Sequence, residues 1–549
     1  MQRPLAGLTR RNAAREAIAG ITLLAIAVPL NIGYAQIAGL PPTAGLYALV
    51  VPGIAYAMLV SSRQVVASPD AAAAALVGSS VGGLAVAGSA DYLAMALAQA
   101  ILCGALFALA AVFRLGFLAN FLSKPILVGF VGGLALDILV SQIAKMLGIK
   151  IDSGSGFEDK AGSLILGLPN VNGWSVLISV PAVAVLVAGR RLARTVPWAL
   201  VVLITATTAV VAAGLEAKGV SVLGAVDAGP PALAWPRLDW NMWLALIPSA
   251  IALTMVTMAE GLLVARSYSE KRGYGTSPNR DLLAFGAANA AAGATGGFAI
   301  GSSTSRTAAM DQLGSRTQLP TLVAAGGTLL LLMFGTALLE HIPAPAIGAI
   351  VGVAILPLLG IREFRSLWRQ DRFEFLIAAA CFLVTLLIGA IPGIVIAFVL
   401  ALINLARRAS TPAIDVLAAD DRPGSSLLDP APLGTPTAPG VLVIRMAAPL
   451  FFANGSVLSQ SVKRAVSTIP GVHHVVLDLE AVTDIDVTGA EAFAALSDWL
   501  RRHKVNLAFS RPRRQIRDRM DSLGMARGAT FYPTNREALA ALSSPSTET

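Results

Sequence analysis

Two short segments carry polar or helix-breaking residues where the surrounding sequence is apolar. The first is Ser68-Pro69-Asp70, directly before the alanine-rich run 71–76. The second begins at Gly296-Gly297 and continues as the run 301–307, Gly-Ser-Ser-Thr-Ser-Arg-Thr. Each pattern predicts a discontinuous helix that begins at membrane depth, with free backbone N–H groups and the positive end of the helix dipole at its start. Such a start attracts an anion because several donors point at one place.

The second segment also carries a permanent cation, Arg306. An arginine inside a membrane helix costs roughly 2.5–3.5 kcal/mol on insertion scales, so we favour a functional role over snorkelling to the membrane surface. Its planar fork of donors suits an anion. The hydroxyls of Ser303 and Ser305 would stand beside it, although small residues in membrane helices more often serve close helix packing.

Two carboxylates fall in equally apolar surroundings, Asp70 after the first break and Glu260 in the run 250–265. A carboxylate in a low dielectric must be protonated, paired with a cation or placed in a wet cavity. Both are therefore candidates for proton or sodium coupling, with pairing to a neighbouring helix as the structural alternative. Asp137 is a weaker candidate, and Asp311 is expected near the cytoplasmic end of its helix.

The composition indicates a membrane protein. Of 549 residues, 55% are hydrophobic and 13% charged, whereas soluble proteins carry roughly 25% charged residues. The net charge of +9 comes from basic residues that flank apolar runs, which favours membrane topology over nucleic-acid binding. The cysteines, Cys103 and Cys381, both lie inside apolar runs, so we expect neither a disulfide framework nor a zinc site.

Residues 16–408 form the predicted transmembrane region, after a cytoplasmic N-terminus at 1–15. Apolar runs separated by short polar connections predict about fourteen helices in a hydrocarbon core about 30 Å thick. The two broken segments are third and tenth, as expected of two inverted repeats of seven with a site between them. The predicted helices are 16–38, 44–61, 68–87, 92–113, 120–148, 173–189, 196–214, 243–266, 280–295, 301–313, 319–338, 344–360, 373–390 and 392–406.

The distribution of basic residues predicts the orientation. With a cytoplasmic N-terminus, nearly all lysines and arginines of the connections fall on the inner side, in agreement with the positive-inside rule and an even number of helices. The C-terminus is then cytoplasmic too, in a multi-pass protein of the cell membrane. The outward connections hold only Lys150, Lys160, Lys218 and Arg237.

The chain changes character after Arg408. Residues 409–439 are rich in Pro, Asp and Ser and are predicted to be a linker. Residues 440–541 alternate strand-like and helix-like segments, which predicts a compact α/β domain, and 542–549 is predicted to be a disordered tail. The strand candidates are 441–445, 475–479 and 505–510, and the helix candidates are 455–467 and 487–502.

These motifs resemble the SulP (sulfate permease) family, whose eukaryotic members include sulfate, chloride and bicarbonate exchangers and prestin. The C-terminal domain resembles a STAS domain. The combination is specific and covers nearly the whole chain. The residues that carry the resemblance are 19–22, Pro29, 34–35, 38–42, 45–47, 61–63, 305–307 and 316–319 in the membrane region, and 449–454, Asp478 and 484–489 in the C-terminal domain.

The resemblance implies two inverted seven-helix repeats that form a core and a gate domain, an elevator motion and, usually, a homodimer. It places an anion site between the starts of the third and tenth helices, lined also by the first and eighth. On this chain it implies substrate contacts from Tyr34, Ser303, Ser305 and Arg306, and a coupling role for Glu260.

Three residues depart from the family pattern. Leu30 stands where many relatives have Gln, so one polar substrate contact is absent. Asp70 stands where many have an aromatic or small residue, and its charge requires a bound cation, a proton or a salt bridge. Val487 replaces the phosphorylatable Ser of anti-sigma-factor antagonists, which rules out a phosphoserine switch at that position, and Thr488 cannot be assumed to replace it.

The sequence therefore predicts secondary active transport of a small anion such as sulfate, bicarbonate, chloride or a dicarboxylate, coupled to protons or sodium. No cofactor beyond the coupled ion, no nucleic acid and no enzyme activity are expected. The STAS domain would stabilise the dimer or bind a cytoplasmic regulator. The alternatives are a nucleobase permease of the same membrane fold, an uncoupled anion channel or exchanger, and a sensor whose membrane part gates the STAS domain.

Overall fold

The computed structural model describes residues 5, 7–10, 12–86, 88–116, 124–151, 156–192, 196–419, 429–432 and 434–543. The chain divides into two compact units, a membrane unit at Met1–Ala401 and a C-terminal unit at Leu402–Thr549. The predicted tail lies outside the described residues from 544 onward. The boundaries predicted for the domains remain predictions.

The membrane unit is helical apart from two strands of two residues each. Its elements, in chain order, are α1 (Ala13–Ile37), α2 (Pro42–Tyr47), α3 (Val51–Leu59), β1 (Ala67–Ser68), α4 (Ala71–Gly82), α5 (Ala90–Val112), α6 (Lys124–Leu147), α7 (Phe157–Gly167), α8 (Gly173–Leu192), α9 (Trp198–Ala213), α10 (Trp240–Arg272), α11 (Pro278–Ala294), β2 (Gly301–Ser302), α12 (Thr304–Gln312), α13 (Leu319–Phe334), α14 (Ala337–Glu340), α15 (Ala344–Ile355), α16 (Ile361–Gln370), α17 (Arg372–Leu387) and α18 (Ala390–Ser410).

A helix occupies each of the fourteen predicted intervals. Among the described residues, six helical stretches are long and apolar enough to cross a bilayer, or seven if the bent pair at 157–170 and 173–189 counts as one. By contrast, α4 has 12 residues and α12 has 9. At 1.5 Å per residue they reach only about 18 and 14 Å, less than a core of about 30 Å, so neither can cross it alone. The number of complete spans stays a prediction.

The starts of α4 and α12 are joined by a pair of short strands. Pro69 favours an extended conformation at Ser68, the last residue of β1. The strand β1 pairs antiparallel with β2, with Ala67 opposite Ser302 and Ser68 opposite Gly301. The pairing continues where Ser303 N–H donates to the Val66 carbonyl at 3.0 Å. The two helices therefore begin side by side, although they are more than 200 residues apart in the sequence.

The helices pack in two groups. In the first, α4 and α5 pack against each other and against α10, α5 also packs against α11, and α1 packs against α4, α12 and α13, with α3 against α13; in the second, α6 packs against α8, α15 and α17. Glycines permit the close approach of backbones inside both groups. A Cβ at Gly104 would lie 2.7 Å from the Ala290 nitrogen, and one at Gly129 would lie 2.2 Å from the Ala378 oxygen.

The C-terminal unit is a five-stranded sheet with helices on both faces. The strand order is β3-β4-β5-β6-β7; β3 pairs antiparallel with β4, and the others are parallel. One core cluster includes Val462 and Phe493, and the other includes Ala538. The elements are β3 (Ile414–Val416), β4 (Val441–Met446), α19 (Gly455–Thr468), β5 (His474–Asp478), α20 (Val487–Arg502), β6 (Asn506–Ser510), α21 (Arg514–Ser522), β7 (Thr530–Tyr532) and α22 (Asn535–Leu542).

Sequence reasoning located five of these elements and missed the others. The strand β3 lies inside the predicted linker 409–439, where three residues are too few to show a period-2 pattern. Its pairing with β4 supplies the hydrogen bonds that make it a strand. The elements α21, β7 and α22 are short, with nine, three and eight residues, and sequence reasoning did not distinguish them from loops. The strand β7 is defined by its pairing with β6.

A buried ion-pair cluster joins three strands at their carboxyl ends. Asp478 at the end of β5 accepts hydrogen bonds from Arg445 on β4 at 2.9 Å and from Arg511 after β6 at 2.6 Å. Burial alone would raise the pKa of Asp478, but hydrogen bonds from Arg511, then Asn535, the Glu480 N–H and Arg445, hold that pKa below its ordinary value.

We expect Asp478→Asn to destabilise the C-terminal unit by about 3 kcal/mol, the lower end of the range for breaking a buried ion pair. The lower end applies because each arginine side chain retains 18% exposure. Hydrogen–deuterium exchange on the full chain would show faster exchange in β4, β5 and β6. Since the pKa of folded Asp478 is depressed, its stabilisation is present above the unfolded value near ~3.9 and is lost as the pH falls toward the folded value.

Asp498→Asn is the matched control. Asp498 pairs with Arg501 on the surface at 3.2 Å, with the two side chains 62% and 77% exposed. Its loss should change stability by less than about 0.5 kcal/mol. Equal exchange in the two variants would contradict the role given to Asp478.

Candidate functional site

A cavity of about 580 Å³ lies where the paired strands bring α4 and α12 together. Five of the six predicted site residues line it: Tyr34 on α1, Asp70 before α4, Glu260 on α10, and Ser303 and Ser305 at the start of α12. The tertiary structure thus brings together side chains that lie far apart in the sequence.

Both helix starts point their first turns at this cavity. Ala71 and Ala72 of α4 and Thr304 and Ser305 of α12 all line it. The first N–H groups of a helix have no intrahelical partner, and the positive dipole end lies there. Two helix starts therefore offer backbone donors and positive potential to one place, which is an arrangement that binds anions.

The residue preceding each helix caps it in part. The Asp70 carboxylate accepts from the Ala73 N–H at 2.8 Å, and the Ser303 hydroxyl accepts from the Arg306 N–H at 3.4 Å. These contacts occupy one backbone donor in each helix. The Ser303 and Ser305 hydroxyl oxygens are 3.5 Å apart, so a ligand in the cavity would meet them together.

Arg306 lies beside the cavity but not on its wall. Its side chain is 1% exposed, with Nη1 donating to Asn31 Oδ1 at 3.0 Å and Nη2 donating to the Pro69 carbonyl oxygen. The guanidinium carbon stands 5.8 Å from the centre of the Tyr34 ring, within range of a cation–π interaction. In the described part of the chain, no carboxylate forms a salt bridge with it. Arg306 thus adds positive potential from behind the helix starts.

The charged side chains on the cavity wall are Asp70 and Glu260. Neither forms a salt bridge with any residue that the structure describes. If both were ionised, the two carboxylates and Arg306 would sum to one negative charge, which repels an anion. One proton or one bound cation would bring the sum to zero, and a second would make it positive.

Glu260 also lines a larger cavity of about 1160 Å³, together with Thr304. That cavity reaches Arg114 and Lys124, which lie at helix ends that are predicted to face the cytoplasm. Glu260 and Thr304 therefore stand between the central cavity and a space that leads toward the predicted inner side.

Two other acidic candidates lie elsewhere. Asp137 on α6 pairs with Lys160 at 2.9 Å. Asp311, next to the last residue of α12, pairs with Lys271 at 2.8 Å and Arg272 at 2.6 Å. These ion pairs give both carboxylates a structural role, and neither residue lines the central cavity.

The structure adds one residue that sequence reasoning missed. Asn31 is fully buried on α1 and accepts the hydrogen bond from Arg306 Nη1. A polar residue inside an apolar run was the signal used for Arg306, and it also applies to Asn31. The neighbouring Leu30 does line the cavity, so this part of its wall is apolar.

The oxygen atoms around the cavity suit a proton or a hard cation better than a softer metal. Carboxylate and hydroxyl oxygens come from Asp70, Glu260 and Ser303, the donor type that hard cations prefer. Within the described ranges, no group of three or more His, Cys, Asp or Glu side chains is arranged to hold a metal ion.

Comparison with known families gives two matches. Residues 14–381 match the Sulfate permease family, and residues 433–538 match the STAS domain. A probable sulfate transporter of Mycobacterium tuberculosis (strain ATCC 25618 / H37Rv) is 34% identical over 505 residues, which cover 92% of this chain and 90% of that protein. Sulfate transporter 3.1 of Arabidopsis thaliana is 28% identical over 528 residues, 91% of this chain and 79% of that protein.

Solved structures of two proteins share the fold. Murine Solute Carrier 26 family member A9, an anion transporter in the inward-facing state, gives a TM-score of 0.88 at 20% identity, over 97% of this chain and 92% of that one. The transmembrane domain of a cyanobacterium bicarbonate transporter, BicA, gives 0.61 at 20% identity, over 72% of this chain and 98% of that one. The predicted fold class, a helical membrane region with a C-terminal STAS domain, is confirmed.

We expect Gly301→Ala to disturb the site. A Cβ there would lie 1.9 Å from Asp70 Oδ2 and 2.8 Å from Asp70 Cγ, so the carboxylate would have to leave its cap on α4. Losing an N-cap costs about 0.5–2 kcal/mol. Thermal unfolding of the purified full chain in detergent would show the loss.

Gly326→Ala is the control, because nothing lies within 4 Å of a Cβ at that exposed position in α13. Alanine should there be neutral or stabilising by up to about 1 kcal/mol. If the two variants unfold at the same temperature, the close contact between Gly301 and Asp70 does not hold the site.

Proposed function

The chain belongs to the sulfate permease family, and from that premise we propose that it carries a small anion across the membrane by alternating access, coupled to a proton or sodium ion. The observation that carries this proposal is the convergence of two helix starts on one cavity, backed by Arg306. Backbone N–H groups and the hydroxyls of Ser303 and Ser305 would bind the anion there.

The charge balance of the cavity supports coupling. With Asp70 and Glu260 ionised, the positive charge of Arg306 is outweighed, so an anion binds well only when a proton or cation accompanies it. Glu260 lines both the central cavity and the larger one next to it. It can therefore exchange its proton or ion with the predicted inner side, and we assign it the coupling role, with Asp70 as its partner.

Motion of one helix group against the other would give alternating access. The group that includes α1 contributes the helix starts and polar residues of the cavity, while Val131 on α6 and Ile350 on α15 complete its wall from the other group. If the first group slides against the second, the whole site moves with it, as in an elevator. The apolar wall of the second group would allow sliding, because it makes no directional bonds to the ligand.

Sulfate is the substrate to test first, because several relatives of this chain carry the name sulfate transporter. A tetrahedral oxyanion could accept from several donors at once, and hydroxyls and backbone N–H groups suit it. Bicarbonate, chloride and dicarboxylates are the other candidate substrates to test.

The cellular context completes the proposal. We assign the chain to the cell membrane with both termini cytoplasmic, following the distribution of basic residues. A homodimer is proposed because the family resemblance implies one. The STAS domain either stabilises the dimer or binds a cytoplasmic regulator.

Uptake by proteoliposomes tests the transport class. Labelled sulfate, bicarbonate, chloride, fumarate and uracil would be offered with and without imposed proton and sodium gradients. We expect one anion to accumulate when a gradient drives it. Accumulation of uracil alone would favour a nucleobase permease, and anion flux indifferent to every gradient would favour a channel or exchanger.

Glu260→Gln should separate binding from coupling. Glutamine keeps the shape but cannot carry a proton or balance a cation, so anion binding should persist while the gradient-driven uptake falls at least about tenfold, roughly 1.4 kcal/mol. Glu340→Gln is the control, since Glu340 lies exposed at the end of α14. Unchanged gradient dependence in Glu260→Gln would contradict the assignment.

A further inference from the structure

A second cavity, of about 190 Å³, lies at the other end of α4. The first turn of α4 lines the central cavity, whereas Gly78 and Ser79 near its end line this one. Ala75 in the middle of α4 also lines the second cavity, and it lies three positions after Ala72 of the central cavity. The nearest lining residues of the two cavities are therefore separated by about 4.5 Å along the helix. The remaining wall comes from the end of α1, from α6 and α7 and from the end of α17.

Two lysines line this second cavity, and their charges are balanced differently. The Lys160 ammonium contacts both oxygens of Asp137, at 2.9 and 3.1 Å. The Lys145 ammonium donates to the neutral amide oxygen of Gln36 at 3.0 Å. No carboxylate of a described residue forms a salt bridge with Lys145. Among the described residues, the Lys145 charge therefore has no acidic partner at the cavity wall.

Unpartnered polar groups surround that charge. Gln142 lines the cavity one helical turn before Lys145, is 1% exposed, and has no hydrogen-bond partner for either its side-chain nitrogen or its oxygen. Thr385 of α17 is 4% exposed and its hydroxyl also lacks a partner. A buried polar group without a hydrogen-bond partner destabilises the folded chain. Its presence here indicates that something other than the described chain satisfies it.

We propose that this cavity is a second anion site, for a small inorganic anion such as a halide or an oxyanion. The Lys145 ammonium, the Gln142 amide N–H and the Thr385 hydroxyl would donate to the anion, since all three residues line the cavity. The volume of about 190 Å³ admits one such ion with accompanying water.

The position of the site gives its occupant a role distinct from that of the transported anion. Its walls belong to α1 and α4 of one helix group and to α6 and α17 of the other. The contact from Lys145 to Gln36 already crosses between the groups. An anion bound here stabilises the present arrangement of the two groups by mass action and so opposes the rearrangement that transport requires. By the predicted orientation it enters from the outer side.

Anion binding to single variants tests the proposal. Chloride and sulfate would each be titrated by calorimetry into the purified full chain in detergent. The wild type should show two classes of site for at least one of these anions. Arg306→Gln should remove the central class and leave the other, whereas Lys145→Gln should weaken the second class at least about tenfold, as expected from the loss of a charge-assisted contact.

Two further variants make the result specific. Gln142→Leu removes the amide without changing the charge and should also weaken the second class. Lys150→Gln removes an equal charge from an exposed position that does not line the cavity, and should leave both classes unchanged. Thermal unfolding without anions confirms that each variant is folded.

The outcomes separate this site from the central one. The second site is refuted if Lys145→Gln and Gln142→Leu both bind as the wild type does, or if Arg306→Gln abolishes all anion binding. Wild-type binding by Arg306→Gln, with the second class lost in Lys145→Gln, would instead count against the central site alone.

Discussion

The pairing of β1 with β2 is the interaction on which the rest of the membrane unit depends. A helix that begins inside a bilayer leaves backbone polar groups that water cannot satisfy, and the hydrocarbon core offers no substitute. The strand pair satisfies the backbone polar groups of residues that precede the two helices, and side chains satisfy others nearby. Thr307 Oγ1 accepts from the Val66 N–H at 3.0 Å, and Gln318 Nε2 donates to the carbonyls of Ser62 and Val65 at 3.1 and 2.9 Å. The donors left over belong to the first turns of α4 and α12, and these face the cavity.

The charges around that cavity determine which ions it can bind. Neutral oxygens of Asn31 and Pro69 hold the Arg306 guanidinium in place without cancelling its charge. The two carboxylates on the wall are able to cancel it, and a proton or cation can relieve them. Binding of an anion and binding of a coupled cation are therefore linked through one sum of charges. This linkage requires no contact between the two ligands.

Sequence reasoning succeeds where chemistry is local. Ser68-Pro69-Asp70 interrupts an apolar helix whether or not the partner strand is known. An arginine within an apolar run, such as Arg306, is costly enough to indicate a function without any structure. The sequence could not show that Arg306 lies behind the wall, because its position depends on Asn31, 275 residues away. Asp137 appeared to be a coupling candidate until the structure paired it with Lys160. The second cavity could not be predicted from the sequence, because it forms only when α6 and α17 pack together. Their packing brings Lys145, Gln142 and Thr385 to one wall.

The most direct test of the central claim is to locate a bound anion. Crystals of the full chain soaked with selenate or bromide would reveal each ion by its anomalous scattering. The account predicts a peak in front of the first turns of α4 and α12, within hydrogen-bonding distance of Ser303 or Ser305, and its loss in Arg306→Gln. A central cavity without such a peak, while the same crystals bind either ion elsewhere, would contradict the account.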